Sequence, residues 1–219
     1  AGELADRAMG ALVERAKPGV TERQLAASAN FAIADGGGYP HFCIVGPTSM
    51  ANPANIFGNP NPSDRPLEEG DIINNEMAAG YGGVTVQIGN PVCVGEPIEA
   101  ARRLWEEAVL PSARAIEEAL VPGKTLEDVR QAGRVILENG YTGRPTLCHG
   151  IDIATSSPHI RMEEVHGADY EQTLQAGMVI MSEPNPATKD GRLGMFFGRT
   201  YTTTENGNEA VTKYPFDLP

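Results

Sequence analysis

Two glutamates occupy matching places in the sequence and are the side chains best suited to do chemistry. Glu76 ends the stretch "GDIINNE" (70–76) and Glu183 ends "GMVIMSE" (177–183), so each follows a glycine and a run that predicts a buried strand. Two buried carboxylates that lie close together cannot both stay charged without a cation, a shared proton or strong hydrogen bonds. The pair is therefore either a functional site or a structural device.

An internal repeat accounts for the matching glutamates. Residues 11–37 align with residues 115–141, and each segment predicts a helix, a Pro-Gly break and a second helix. Thr21 and Thr125 are predicted to cap the second helix of each pair. If the two halves pack about a local pseudo-twofold axis, the two glutamates converge on one cleft.

Composition excludes several classes of partner. The chain has 219 residues and a net charge of -12, so nucleic acid and anionic membrane surfaces would be repelled. No apolar run approaches the roughly 20 residues that a membrane span needs. Three cysteines, an odd number without metal-type spacing, indicate reduced thiols and a cytoplasmic protein. The helix predicted at 99–120 carries an apolar stripe with Trp105, which indicates a core face first and a homodimer face second.

An ordered set of motifs resembles a known family. The motifs are "LEEGDIINNEMAAGYGGVTVQIGNPVCVGEP" (67–97), "CHGIDIA" (148–154), "LQAGMVIMSEP" (174–184) and "TTTENGNEAVT" (202–212). Together they resemble the catalytic domain of the creatinase, prolidase, aminopeptidase P and methionine aminopeptidase family, which has the pita-bread fold.

The resemblance implies an α+β protein in which two helix-helix-strand halves surround a curved, mostly antiparallel sheet. We expect one domain over residues 1–219, with halves at about 1–98 and 99–219. Creatinase, prolidase and aminopeptidase P carry a further N-terminal domain, which we expect to lie outside this chain.

The family's metal ligands carry over only in part. Typical metallopeptidase members bind two divalent metals with two Asp, one His and two Glu, and these positions fall on Glu76, Gln87, His149, Glu183 and Gly198. The family's second histidine falls on Ser156, and its loop histidine falls near Gly58. Because too few ligands remain for two metals, we expect no cofactor. A single divalent ion bound by the residual candidates Glu76, His149 and Glu183 is the alternative.

Creatinase is the instructive relative, because it resembles this fold with the metal ligands replaced and hydrolyses a C–N bond by acid–base chemistry. We expect a hydrolase of a small carboxylate-bearing amine, amidine or peptide. His149 would transfer the proton, and Glu183 and Glu76 would orient a cationic nitrogen. Arg199, Gln87 and His159 are the candidate substrate-binding residues.

Two alternatives remain open. One is a non-catalytic homologue whose cleft binds a peptide or a protein partner, and the other is a mononuclear metallopeptidase.

Overall fold

The structure, a computed structural model, describes all residues from 1 to 219. The helices are α1 (Gly2–Arg15), α2 (Glu22–Asp35), α3 (Glu99–Leu104), α4 (Leu110–Ala119), α5 (Leu126–Gly133) and α6 (Val135–Glu138). The strands are β1 (Tyr39–Ser49), β2 (Asp71–Tyr81), β3 (Val84–Gly89), β4 (Val92–Cys93), β5 (Thr142–Gly143), β6 (Thr146–Ile151), β7 (Thr155–Arg161), β8 (Val179–Ser182), β9 (Pro186–Ala187), β10 (Gly198–Thr204) and β11 (Gly207–Ala210). None of the helices combines the length and the apolar character that a membrane crossing requires.

The two predicted helix caps are present and equivalent. The Thr21 hydroxyl accepts the Gln24 N–H at 3.3 Å, and the Gln24 side chain accepts the Thr21 N–H at 3.0 Å. Thr125 and Asp128 form the same reciprocal pair at 3.1 and 2.8 Å. Each box satisfies two backbone donors that a helix start leaves free.

The helix predicted at 99–120 is interrupted by a π-helical turn over Trp105–Val109. Pro111 has no N–H to donate to the carbonyl of Glu107, and the Asn139 amide donates to that carbonyl instead, at 2.7 Å. The apolar stripe of this helix is a core face, since Trp105 is buried against Phe197. The homodimer stays a prediction.

One curved sheet joins the two halves, and the predicted pita-bread fold is confirmed. Its strands run in the order β1-β2-β3-β10-β8-β6-β7, all antiparallel, with β4 beside β2 and β11 beside β10. The strands of the first half therefore meet those of the second half at the β3–β10 pair.

The helices cover one face of the sheet, and side chains of that face form the core. Five residues of this face, one on each of five neighbouring strands, are paired side by side and form a row. They are Met77, Ile88, Arg199, Ser182 and Cys148. Because successive strand residues point to opposite faces, the residues on either side of this row on β2, β3, β10 and β8 point to the concave face, as does His149 on β6. The candidate site lies there.

Two connections shape the concave face. Residues 51–66 contain no helix and no strand beyond single bridges, as the Pro/Asn-rich sequence predicts. Part of the segment 151–173 is regular, because β7 pairs with β6 as a hairpin. The tip of that hairpin folds back over the sheet, where Thr85 N–H donates to the Asp152 carbonyl at 3.3 Å.

Candidate active site

The sheet register brings the two glutamates into one row of the concave face. Continuing the pairing by one residue aligns Glu76, Gly89, Gly198 and Glu183 on β2, β3, β10 and the end of β8. Three strand spacings separate the two acidic residues, which is about 14 Å between Cα atoms of a flat sheet. The two glycines between them carry no side chains and leave the space above this row open to another residue.

The ring of Phe196 fills the space above the two glycines. A methyl group added at Gly89 would lie 2.5 Å from this ring, and one added at Gly198 would lie 2.8 Å from it. Phe57 packs edge-on against Phe196, with ring centroids 5.0 Å apart. An aromatic pair therefore lies between the carboxylates, and sequence reasoning identified neither ring.

Burial dominates the electrostatics of the acid pair. Glu76 is 7% exposed, and desolvation raises its pKa to about 7 against the opposing field of Arg144. Desolvation first, and the charge of Glu76 second, raise the pKa of Glu183 to about 8. Each carboxylate thus holds a proton more tightly than in water, as expected for like charges in one low-dielectric site.

Arg144 is the guanidinium that faces this pair, and the sequence analysis missed it. It lies between β5 and β6, where its N–H donates to the Asn185 carbonyl at 3.1 Å. Its guanidinium carbon lies 3.9 Å from the centroid of the Phe57 ring, and it forms none of the chain's ion pairs. The sequence feature that could have identified Arg144 is its position five residues before His149 on the same segment.

His149 is buried beside Glu183. Its Nδ1 lies 2.8 Å from the carbonyl of Gly150, so Nδ1 carries the proton and Nε2 is left as an acceptor. Nε2 lies 3.8 Å from Glu183 Oε1. Desolvation lowers the pKa of His149, which favours the neutral imidazole at pH 7.

His159 stands directly across from His149 in the β6–β7 hairpin, with ring centroids 6.2 Å apart. A count without gaps had placed the family's second histidine at Ser156, which instead pairs with Gly150. The bulge between His149 and Gly150 moves the pairing, and a sequence count cannot see a bulge. His159 is exposed, so the ring next to the buried imidazole reaches solvent.

Gln87 also points to the concave face, next to Thr200. The Thr200 hydroxyl fixes the backbone of Gln87 by donating to its carbonyl at 2.7 Å and accepting its N–H at 3.0 Å. The side-chain oxygen of Gln87 has no partner although the residue is only 2% exposed. A buried acceptor without a donor costs free energy, so an N–H of a ligand that donates to this oxygen would stabilise the complex.

Arg199 does not reach the site, contrary to the sequence-based expectation. It belongs to the core-facing row, where its guanidinium donates to the Tyr214 carbonyl and stacks 4.0 Å from the centroid of the Phe216 ring. The period of two along β10 decides this, because neighbouring Gly198 and Thr200 are the residues that face the cleft. Another arginine nearby in the sequence, Arg192, is exposed and donates to the Asn52 side-chain oxygen.

Two asparagines that precede Glu76 hold the site together. The amide of Asn74 donates to the Gly194 carbonyl at 2.9 Å and accepts the Phe196 N–H at 2.8 Å. Asn75 donates to the Asn90 carbonyl at 2.5 Å. These bonds satisfy backbone groups of irregular segments that have no strand partner, and they fix the aromatic ring between the acids.

Comparison with known proteins agrees with this architecture. The family model "Metallopeptidase family M24" matches residues 1–205. The chain belongs to this family. The Xaa-Pro dipeptidase of Pyrococcus furiosus is 31% identical over 225 residues, which cover 99% of this chain and 60% of that protein. The probable dipeptidase PepE of Mycobacterium tuberculosis is 31% identical over 224 residues, or 100% of this chain and 56% of that protein.

A solved structure of dipeptidase PepE from Mycobacterium ulcerans superimposes with a TM-score of 0.86 at 29% identity, covering 100% of this chain and 57% of that one. The chain therefore spans less than two thirds of the length of these relatives.

The residues present do not fit a dinuclear metal centre. No group of three or more His, Cys, Asp or Glu side chains is arranged to hold a metal ion. Gly198, where the last family ligand falls, offers no donor, and a side chain there would have to displace Met181 and Phe196, since an added methyl group would lie 2.3 Å from Met181 and 2.8 Å from Phe196. Two dications need bridging carboxylates, whereas here an aromatic ring separates the acids and Arg144 supplies positive charge. A single divalent ion stays a prediction.

The largest surface groove lies elsewhere. It has a volume of about 650 Å³ between the outer sides of α1 and α2 and contains none of the site residues. Its walls include ordinary surface charges such as Arg7 and Glu14, so the chemistry and the groove do not coincide.

Proposed function

We propose that this chain is the catalytic domain of a hydrolase that cleaves a C–N bond in a small molecule carrying both a cationic nitrogen and a carboxylate, without a dinuclear metal centre. The observation that supports this most is the juxtaposition of two proton-binding carboxylates with an unpaired guanidinium, Arg144. The relative from Pyrococcus furiosus is named Xaa-Pro dipeptidase, and a dipeptide carries both an amino group and a carboxylate.

Charge complementarity assigns the ends of the substrate. Glu76, whose pKa is the lower of the two, is the acid that ionises first, and its charge suits the cationic nitrogen of the substrate while Glu183 keeps its proton. Arg144 has no carboxylate partner of its own, so it takes the carboxylate of the substrate as a bidentate pair. The unpartnered oxygen of Gln87 accepts an N–H of the same molecule.

The proton transfers follow from the pKa values of the two neighbours. Neutral His149 removes a proton from water through Nε2 while the water oxygen bonds to the carbon. Glu183, with its pKa raised to about 8, is protonated at pH 7 and gives its proton to the leaving nitrogen as the C–N bond breaks. The imidazolium then returns its proton to Glu183, and exposed His159 exchanges protons between His149 and solvent.

The test is a substrate panel of Xaa-Pro dipeptides, guanidino acids and amidines, assayed for amine or urea release with protein stripped of metal by a chelator. We expect turnover in the stripped protein, abolished in His149→Asn and retained in His166→Asn, an exposed histidine outside the site. Turnover that appears only after a divalent ion is added, with one ion per chain by elemental analysis, would establish the mononuclear metallopeptidase instead.

The non-catalytic alternative has its own supporting observation. Phe196 and Phe57 close the space between the acids, which leaves an apolar surface rather than an open reaction centre. Peptide binding without turnover of any panel member would favour this alternative.

A further inference from the structure

The candidate site is closed off in this structure by a segment that has few attachments. Residues 51–60, which we call the strap, cross the mouth of the concave face and place Phe57 on Phe196. Glu76 and His149 lie beneath it and are buried. A ligand that touches these side chains cannot enter while the strap stays where it is.

The strap is attached by single hydrogen bonds spread along its length and by one two-bond bridge at Asn59. Val45 of β1 and Asn59 exchange two backbone hydrogen bonds, at 3.2 and 3.1 Å. Asn185 donates to the Ile56 carbonyl at 3.1 Å, and Ala54 N–H donates to the Thr48 hydroxyl at 2.8 Å. All ten residues of the strap are exposed or half-buried, and they form no repeating backbone ladder, which is the pattern of a segment that opens locally.

Two glycines set how closely the strap approaches the sheet. An added methyl group at Gly58 would lie 2.5 Å from the Ile44 side chain, and one at Gly46 would lie 2.5 Å from the Gly58 Cα. Gly58 does not have a positive φ, so alanine is tolerated by the backbone there and only the close crossing is lost. Gly58→Ala is therefore a variant that lifts the strap without removing its side chains.

The ring of Phe57 is fixed from both sides. One contact is the edge-on packing against Phe196, and the other is the Arg144 guanidinium stacked 3.9 Å from the ring centroid. Arg144 forms no ion pair that would compete for it. Arg144, which faces the acid pair, therefore also holds the strap in place through its contact with Phe57, and we call it the latch. An anionic group that binds Arg144 releases Phe57.

We propose that the strap, residues 51–60, is a movable cover over the Glu76–Glu183 pair, sealed by Phe57 on Phe196 and latched by Arg144. This proposal rests on the proposed function only because it treats the Glu76–Glu183 pair as a ligand site. The cover opens before a ligand enters and closes to exclude water, as lids over reaction centres do.

Carboxylate labelling tests the cover without any substrate. The full chain is treated with a water-soluble carbodiimide and glycinamide, and labelling of Glu76 and Glu183 is followed by peptide mass spectrometry. Loss of an aromatic pair and a cation–π contact predicts about a tenfold faster labelling of both glutamates in Phe57→Ala. Gly58→Ala is expected to act in the same direction, and exposed Glu138 serves as the internal reference.

Matched controls separate opening of the strap from loss of the fold. Phe31→Ala removes a ring outside the site, 68% exposed on α2, and leaves the labelling rates unchanged. Amide exchange in β8 and β10 is expected to stay as slow in both strap variants as in the wild type, while the Asn59 amide exchanges faster. Unchanged labelling of Glu76 and Glu183 in both strap variants, with the fold intact, overturns the cover. Faster labelling without turnover of any substrate would keep the cover and overturn the proposed function.

Discussion

Replacing Glu183 by glutamine should make the protein more stable at alkaline pH, although the change removes a charged group. The pKa of Glu183 rises from its ordinary value of 4.5 in the unfolded chain to about 8 in the folded one. A carboxyl group that binds its proton more tightly when folded stabilises the fold below pH 4.5, and this contribution is lost as the pH rises through 8. Each tenfold change in proton affinity is worth about 1.4 kcal/mol, so the full loss has an upper limit of about 5 kcal/mol.

The assay is urea unfolding followed by the fluorescence of Trp105, the only tryptophan, between pH 5 and pH 9. The wild-type free energy of unfolding should fall by several kcal/mol over this range, and Glu183→Gln should remove the larger share of that fall, with the rest coming from Glu76, whose pKa is raised to about 7. His149 has the opposite sign, because its lowered pKa costs stability only as the pH falls below about 6.5. The wild type and Glu183→Gln are therefore best compared above pH 7, where His149 does not contribute to the pH dependence.

Glu138→Gln, at an exposed position of α6, is the matched control and should run parallel to the wild type. The reasoning is refuted if Glu183→Gln and the wild type also give parallel curves. In that case burial would not hold the proton on Glu183, and the acid–base assignment would lose its basis.

Three further predictions concern neighbouring residues. Arg144→Gln removes the positive charge that lowers the pKa values of both acids, so the pKa of Glu183 should rise further. The KM for a carboxylate-bearing substrate should rise at least tenfold, because its carboxylate loses its partner. Arg161→Gln, at an exposed position, should change neither quantity. Gly198→Glu restores the residue type of the family ligand but should lower the free energy of unfolding by about 1–3 kcal/mol through overpacking and recruit no metal by elemental analysis; two bound ions per chain would refute this. Asn74→Ala leaves the Gly194 carbonyl and the Phe196 N–H without partners and should cost about 2–4 kcal/mol in urea unfolding, while Asn52→Ala at the surface should stay within about 0.5 kcal/mol of the wild type.

The fold was accessible from the sequence because its signals are local and repeated. Capping residues, Pro-Gly breaks and apolar periodicity each act over a few residues, and the duplication placed Glu76 opposite Glu183. The period of two along a strand also determines which face a residue occupies once the register is known. Applied to β10, it assigns Arg199 to the core face, which the sequence analysis did not consider.

The remaining features of the site depend on non-local packing. Arg144 reaches the acids because β5 pairs with β9, a contact between segments 43 residues apart that no local pattern announces. Phe57 arrives on an irregular segment, and Phe196 is held by Asn74, which lies 122 residues away. His159 faces His149 only because of a bulge in the hairpin. Each of these placements requires coordinates.

The most direct measurement of the central claim is a nuclear magnetic resonance titration of carbon-13-labelled glutamate carboxyl groups in the wild type and in Glu76→Gln. The account predicts that Glu183 titrates with a pKa near 8 in the wild type and at a lower pH once Glu76 is neutral, because the two halves bring these acids into one buried site. A Glu183 that titrates near 4.5 in both proteins would contradict the account.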